Sequence, residues 1–202
     1  GPWGTEDVHT GLLGEFNASN LLAAAGTMAL LGMPWNQVLH QLEIMQPVPG
    51  RMMRLGGELG QPVVVVDYAH TPDALEKALK VLRNLTEKRL WIVFGCGGDR
   101  DKTKRPVMGS IAASLADEIL VTSDNPRSEN PDKIISEIIK GIHTEHNVII
   151  EPDRKQAIEM ALKKATNGDT VLIAGKGHED YQEINGIKYP FDDRLIVKEF
   201  SA

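Results

Sequence analysis

"PVVVVDYAHTPDALEKALKVLRNL", residues 62–85, decides the fold. Its valine run has no polar alternation, as expected of a strand covered by helices on both faces, and the stretch from Pro72 onward reads as a helix. The pattern then repeats. "RLWIVFGCGG", "EILVTSDNP", "NVIIE" and "DTVLIAGKGHE" are further apolar runs, separated by the helical stretches "RPVMGSIAASLA", "PDKIISEIIKGI" and "RKQAIEMALKKA". Strands alternating with helices predict a doubly wound α/β domain with a mostly parallel sheet. "YQEINGIKYPF" follows, with Asn185-Gly186 as a hairpin signal between two short strands, and a closing helix is expected from about Asp192.

Upstream the pattern differs. "FNASNLLAAAGTMALLG" predicts a helix with Asn17, Ser19 or Asn20 as N-cap and with Gly32 and Pro34 at its end. "PWNQVLHQLEIM" places Trp35, Val38, Leu39, Leu42 and Met45 on one face of a second helix, with Pro34 suited to its first turn. "QPVPGRMM" then breaks helical structure with two prolines and a glycine, so a boundary is expected between Pro47 and Arg51. The expected division is residues 1–48 and 49–202, with Met52 and Met53 as packing residues at the start of the second part.

Composition narrows the function. The chain has 202 residues, 42% hydrophobic and 25% charged, as in ordinary globular proteins, and its net charge of -6 argues against a general nucleic-acid or anionic-membrane binder. The single Cys96 cannot form an internal disulfide, which fits a reducing compartment, and it reads as a small buried hydrophobe. "LLAAAGTMALLGMPW" is shorter than the roughly 18 residues a membrane span needs and has no basic leader, so neither a membrane helix nor a signal peptide is expected.

In an open parallel sheet, ligands bind outside the carboxyl ends of the strands, where strand order reverses. The loops there read "DYAHTPD", "GCGGDRDKTKRP", "TSDNPRSENP", "EPDRK" and "AGKGHED". Arg100 lies nearest its strand end and suits an anion, whereas Lys102, Lys104 and Arg105 can be read as a solvated face. Glycines bracket Lys176, but no loop contains G-x-x-x-x-G-K-[ST], and Glu179 suits a ligand ammonium. His143 with His146 reads as a solvated helix end rather than a zinc site, and no G-x-S-x-G elbow is present. No metal-ligating or catalytic residue is assigned.

Taken in order, "GEFNASNLLAA", "PGRM", "VDYAHTPD", "GCGGDRDKTKRP", "DNPR" and "GKGHE" closely resemble the Mur ligase family, and within it the branch that adds meso-diaminopimelate to UDP-N-acetylmuramoyl-L-alanyl-D-glutamate in peptidoglycan synthesis. The resemblance implies a Rossmann-like C-terminal domain over residues 49–202, preceded by a helical remnant of the central ATP-binding domain over residues 1–48. It implies that Arg100, Asp124, Asn125, Pro126, Arg127, Gly175 and Glu179 surround meso-diaminopimelate, with Arg127 bonding the second carboxylate that lysine lacks. Asn17 and Asn20 resemble adenine-contacting positions. Arg51 would approach the ATP phosphates, Asp67 would hold the ribose, and Tyr68 and His70 would lie nearby. In the family, ATP phosphorylates the nucleotide-linked carboxylate, the diaminopimelate amine attacks, ADP and phosphate leave, and Mg2+ orients the phosphates. The family's UDP-sugar domain and phosphate loop are not among these 202 residues, so the expectation is a cytoplasmic, monomeric ligase of which this portion alone is inactive. The alternatives are a folylpolyglutamate-type ligase domain and a non-catalytic amino-acid-binding module.

Overall fold

A computed structural model of the protein describes residues 2–57, 60–143 and 148–201. They form two compact units, Gly1–Val48 and Pro49–Ala202.

The first unit holds α1 (Glu15–Leu30) and α2 (Trp35–Ile44). None of Asn17, Ser19 and Asn20 caps α1. Gly14 occupies the cap position at φ 92, without a side-chain bond to the first turn. Asn17 instead donates Nδ2 to the Leu13 carbonyl at 2.8 Å, and Asn20 donates Nδ2 to Asn17 Oδ1 at 3.2 Å. The helix therefore starts before the apolar run, because a glycine with positive φ can turn the chain into it without a polar cap. Pro34 stands at the cap of α2 rather than inside its first turn, its carbonyl accepting from the Gln37 and Val38 amides. Leu21, Ala25, Val38 and Leu42 form a small buried cluster, flanked by Trp35 and Met45.

So small a core protects weakly, and Leu22, Leu30 and Leu31 are 75–82% exposed. Amides of α1 and α2 are expected to exchange hydrogen faster than those of the sheet, because local opening there exposes little buried apolar surface. Equal protection in both units, measured by mass spectrometry, would contradict this.

The second unit contains β1 (Met53–Gly56), β2 (Val63–Asp67), α3 (Pro72–Leu85), β3 (Leu90–Phe94), α4 (Lys104–Leu115), β4 (Glu118–Val121) and α5 (Pro131–Ile139). It continues with β5 (Val148–Ile150), α6 (Arg154–Lys164), β6 (Thr170–Ala174), β7 (Tyr181–Ile184), β8 (Ile187–Pro190) and α7 (Asp193–Ser201). Six strands form one sheet in the order β1-β2-β6-β3-β4-β5, parallel except for β1, while β7 and β8 form the hairpin expected around Asn185-Gly186. β1 is absent from the sequence reading: Met53 begins an edge strand running antiparallel to β2, whereas Met52 is a buried packing residue.

Chain order explains the layers. From β2 through β5 the strands progress in one direction across the sheet, and α3, α4 and α5 pack side by side along the way. The chain then returns through α6 to insert β6 between β2 and β3, which places α6 and α7 together as the opposite layer. Val64, Val66, Trp91, Val93, Leu120, Val171 and Ile173 pack with Ala157, Ile158, Ala161, Leu162, Ile196 and Val197 in this second layer. The two-residue strand period turns Val65, Ile92, Ile119 and Leu172, all fully buried, toward the other. The reversal brings the carboxyl ends of β2, β6, β3 and β4 side by side, where the charged loops emerge. His146 and Asn147, the first residue of "NVIIE", lie outside the described residues. No helix among the described residues is long and apolar enough to cross a membrane.

Candidate functional site

The loop after β4 is the centre of the strand-end surface. Asp124 and Asn125 are almost fully buried there, and Asn125 is bonded on both sides of its amide. Its Nδ2 donates to Glu179 Oε2 at 2.8 Å, and its Oδ1 accepts from Lys176 Nζ at 2.9 Å and the Glu183 amide at 2.9 Å. Lys176, fully buried, also lies 3.4 Å from Glu179 Oε2 and 3.7 Å from Asp124 Oδ1. Burial pulls the Lys176 pKa down, and Arg154 pushes it the same way, against the attraction of Asp124 and Glu179. One ammonium thus compensates two carboxylates, leaving the cluster with surplus negative charge for a ligand cation. Gly175 is required beside it, since a Cβ there would stand 2.6 Å from Asp124 Oδ2.

Arg127 supplies the opposite charge. It adopts φ 49, and its backbone is tied to the hairpin by Arg127 N to Glu183 O at 3.0 Å and Asn185 N to Arg127 O at 2.7 Å. Its Nη1 donates to the Gly98 carbonyl at 2.8 Å, while Nε lies 3.2 Å from Glu183 Oε2. The loops after β3 and β4 are zipped together beneath it. Gly98 donates to the Asn125 carbonyl, and its missing side chain lets the Pro126 carbonyl approach to where a Cβ would sit, 1.9 Å away.

Arg105 anchors the same loops and corrects its reading as a solvated residue. It is fully buried, with Nη1 donating to Glu129 at 3.1 Å and Glu137 at 2.7 Å, and Nη2 donating to Gly97 O at 3.2 Å and Glu129 at 3.0 Å. The guanidinium, with the Asp99 amide and Lys102, holds the Glu129 carboxyl well below the usual carboxylate range. Lys102 also pairs with Glu129, and Lys104 donates to the His70 carbonyl at 2.6 Å.

A cleft of about 690 Å3 opens above these groups, lined by Gly97, Arg100, Lys104, Asp124, Asn125, Arg127, Gly175, Glu179 and Tyr181, with Tyr68 and His70 at one side. Of the residues assigned by resemblance to the amino acid, only Pro126 does not line it; Pro126 is buried and shapes the loop. Arg100 is exposed on the rim.

The residues assigned to ATP divide. Arg51 stacks over Tyr68 at 4.7 Å, and the Tyr68 ring lies 4.5 Å from His70 and 5.2 Å from His178. Asp67 is mostly buried, with Oδ2 accepting from the Met52 amide at 2.7 Å. The "PGR" turn seats directly on the "GKGH" loop, where a Cβ on Gly50 would stand 2.1 Å from the His178 amide nitrogen. Asn17 and Asn20 belong to the first unit and bond each other. Among the described residues, no group of three or more His, Cys, Asp or Glu side chains is placed to hold a metal ion.

Beneath the cleft Arg154 and Asp193 form a fully buried, two-pronged ion pair, with Nε to Oδ1 at 2.9 Å and Nη2 to Oδ2 at 2.7 Å. Burial pushes the Cys96 thiol up to about 12, so it is a packing residue beside Met108 rather than a nucleophile. Sequence reasoning did not assign roles to Lys176, Glu183 or Arg154. The first was visible between two glycines, but nothing in one sequence marks it as buried.

Residues 50–177 match the family model of the Mur ligase glutamate ligase domain. The chain is 50% identical over 200 residues to the UDP-N-acetylmuramoyl-L-alanyl-D-glutamate--2,6-diaminopimelate ligase of Chromobacterium violaceum, covering 98% of this chain and 40% of that protein. A solved structure of a ligase with the same name superposes with a TM-score of 0.75 at 42% identity, covering 98% of this chain and 40% of the other. The folylpolyglutamate synthase of Mycobacterium tuberculosis superposes with a TM-score of 0.65 at 22% identity over 84% of this chain and 39% of its own, which shows a shared fold. The chain spans about 40% of the length of the curated relatives it matches.

Proposed function

This chain belongs to the Mur ligase family through its glutamate ligase domain, and we propose that its strand-end cleft binds meso-diaminopimelate for an ATP-dependent ligase of peptidoglycan precursor synthesis. One observation carries the reading: a guanidinium at Arg127 and a carboxylate at Glu179 line the same cleft, matching an amino acid whose far end bears both a carboxylate and an ammonium. Relatives that are about 50% identical over nearly all of this chain are named for 2,6-diaminopimelate. A folylpolyglutamate-type ligase shares the fold but gives no reason for the "DNPR" and "GKGHE" pairing.

In the longer protein, the amine of bound diaminopimelate would be joined to the D-glutamyl carboxylate of UDP-N-acetylmuramoyl-L-alanyl-D-glutamate, and ATP with Mg2+ would supply the phosphoryl group that activates that carboxylate. The donor set present fits a nucleotide: the Arg51 guanidinium makes a ring contact with Tyr68 but no hydrogen bond to another described residue. Asp67 has one carboxylate oxygen engaged by Met52. Residues 1–48, with Asn17 and Asn20, are assigned to the end of the central ATP-binding domain. The contribution of this chain is positioning, since holding the far end of diaminopimelate at Arg127, Asn125 and Glu179 aims its near amine out of the cleft.

Calorimetric titration of this chain tests the reading. Meso-diaminopimelate is expected to bind at least about tenfold more tightly than L-lysine, the worth of one charge-assisted bond. Equal affinity for the two, or no binding of diaminopimelate, would contradict it.

A further inference from the structure

The β7 strand backs the whole "DNPR" loop. Gln182 Nε2 donates to the Asp124 carbonyl at 2.7 Å, the Glu183 amide donates to Asn125 Oδ1 at 2.9 Å, and Arg127 makes a β-bridge to Ile184. Within this support, Glu183 is the one side chain whose charge acts on Arg127, with Oε2 3.2 Å from Nε. Glu183 does not line the cleft, whereas Arg127 does. We propose that Glu183 is a positioning residue for specificity: by holding Nε from behind, it turns the terminal nitrogens of Arg127 toward the ligand's second carboxylate.

The geometry favours holding over competition. Arginine has five N–H donors in a rigid plane, so fixing two of its nitrogens fixes the direction of the rest. Gly98 takes one Nη1 hydrogen and Glu183 faces Nε, which leaves Nη2 and the second Nη1 hydrogen without a partner among the described residues. Each terminal nitrogen thus keeps a hydrogen that can be offered to a carboxylate. Without Glu183 the guanidinium keeps a single side-chain tether and can swing about it. The bond to a carboxylate would then require ordering the side chain at the moment of binding.

The inference rests on the diaminopimelate reading, and the test separates the two. Calorimetry compares meso-diaminopimelate with L-lysine on wild-type chain and on Glu183→Ala, Glu183→Gln and Arg127→Ala. Glu183→Ala is expected to weaken diaminopimelate roughly two- to fivefold with lysine unchanged, the scale of a partly exposed ion pair. Glu183→Gln, which keeps volume and an oxygen but no charge, should fall between wild type and Glu183→Ala. The Arg127 Nε–H resonance should move and exchange faster in Glu183→Ala, without any ligand present. An unchanged ratio, a gain in diaminopimelate affinity or an equal loss for both amino acids in Glu183→Ala would overturn the role of Glu183. If Arg127→Ala also leaves the ratio unchanged, Arg127 does not read the second carboxylate and Glu183 has nothing to position. The diaminopimelate reading itself fails only if the wild-type chain binds the two amino acids equally or does not bind diaminopimelate.

Discussion

The Arg127→Ala variant is expected to lose most of the preference for meso-diaminopimelate over lysine, a change of roughly ten- to more than a hundredfold. The two amino acids differ by one carboxylate, and Arg127 is the cleft-lining cation whose free N–H edge is fixed by its own surroundings. A hydrogen bond between charged partners is worth about 1.5–3 kcal/mol. Arg100 also lines the cleft, but it is exposed and its side chain bonds, among the described residues, only the neighbouring Asp99 carbonyl at 3.1 Å. A side chain so loosely held adds less to discrimination. Arg127→Lys should recover only part of the preference, because an ammonium cannot reproduce the planar fork and would not reach both Gly98 O and Glu183. Titration of this chain, and catalytic efficiencies of a longer protein containing it, give the ratio directly. An unchanged ratio would remove Arg127 from discrimination even if both affinities fell.

The sheet was legible because burial on both faces leaves a plain trace. β3 and β6 are buried at every position, and their sequences, "LWIVF" and "TVLIA", contain almost nothing that needs water. β1 left no such trace. "MRLG" is an edge strand with alternating burial, only four residues long, and its place depends on pairing with β2. The loops at the strand ends were legible as a set, since Gly, Arg, Asp and Glu crowd them. The roles within the set were not. Lys176 between two glycines carries no local mark of burial, yet it is buried where Asn125 and Asp124 from the loop after β4 and Glu179 from its own loop meet it. Glu183 in "YQEI" carries no local mark of a role. Its pairing with Arg127 depends on a β-bridge that spans more than fifty residues of sequence. Asn17 and Asn20 failed as caps for a local reason: Gly14 made a cap unnecessary.

The largest expected effect on stability lies under the cleft. Asp193→Ala strands the Arg154 guanidinium, fully buried, with only the Ala174 carbonyl at 3.0 Å and the Ser123 carbonyl at 3.4 Å as partners. Breaking a buried pair from one side costs about 3–5 kcal/mol, because the remaining charge has no water and loses the one carboxylate bonded to it, with Asp124 and Glu179 acting only at a distance. At roughly 2–4 °C per kcal/mol for a unit of this size, the melting temperature should fall by about 6–20 °C. Removing both charges is a different matter. The double variant Arg154→Met with Asp193→Leu fills similar volume without a charge to desolvate, and it is expected to melt well above Asp193→Ala. If the double variant instead melts below Asp193→Ala, the ion pair contributes through packing and not through charge. The damage should also reach the ligand. Arg154 holds the carbonyls of Ala174 and Ser123, the residues immediately before Gly175 and Asp124, so it sets the height of two strand ends on which the cleft is built. Asp193→Ala should therefore weaken diaminopimelate and lysine together, whereas Arg127→Ala separates them. That contrast distinguishes the group that reads the second carboxylate from the groups that keep the floor of the site in place.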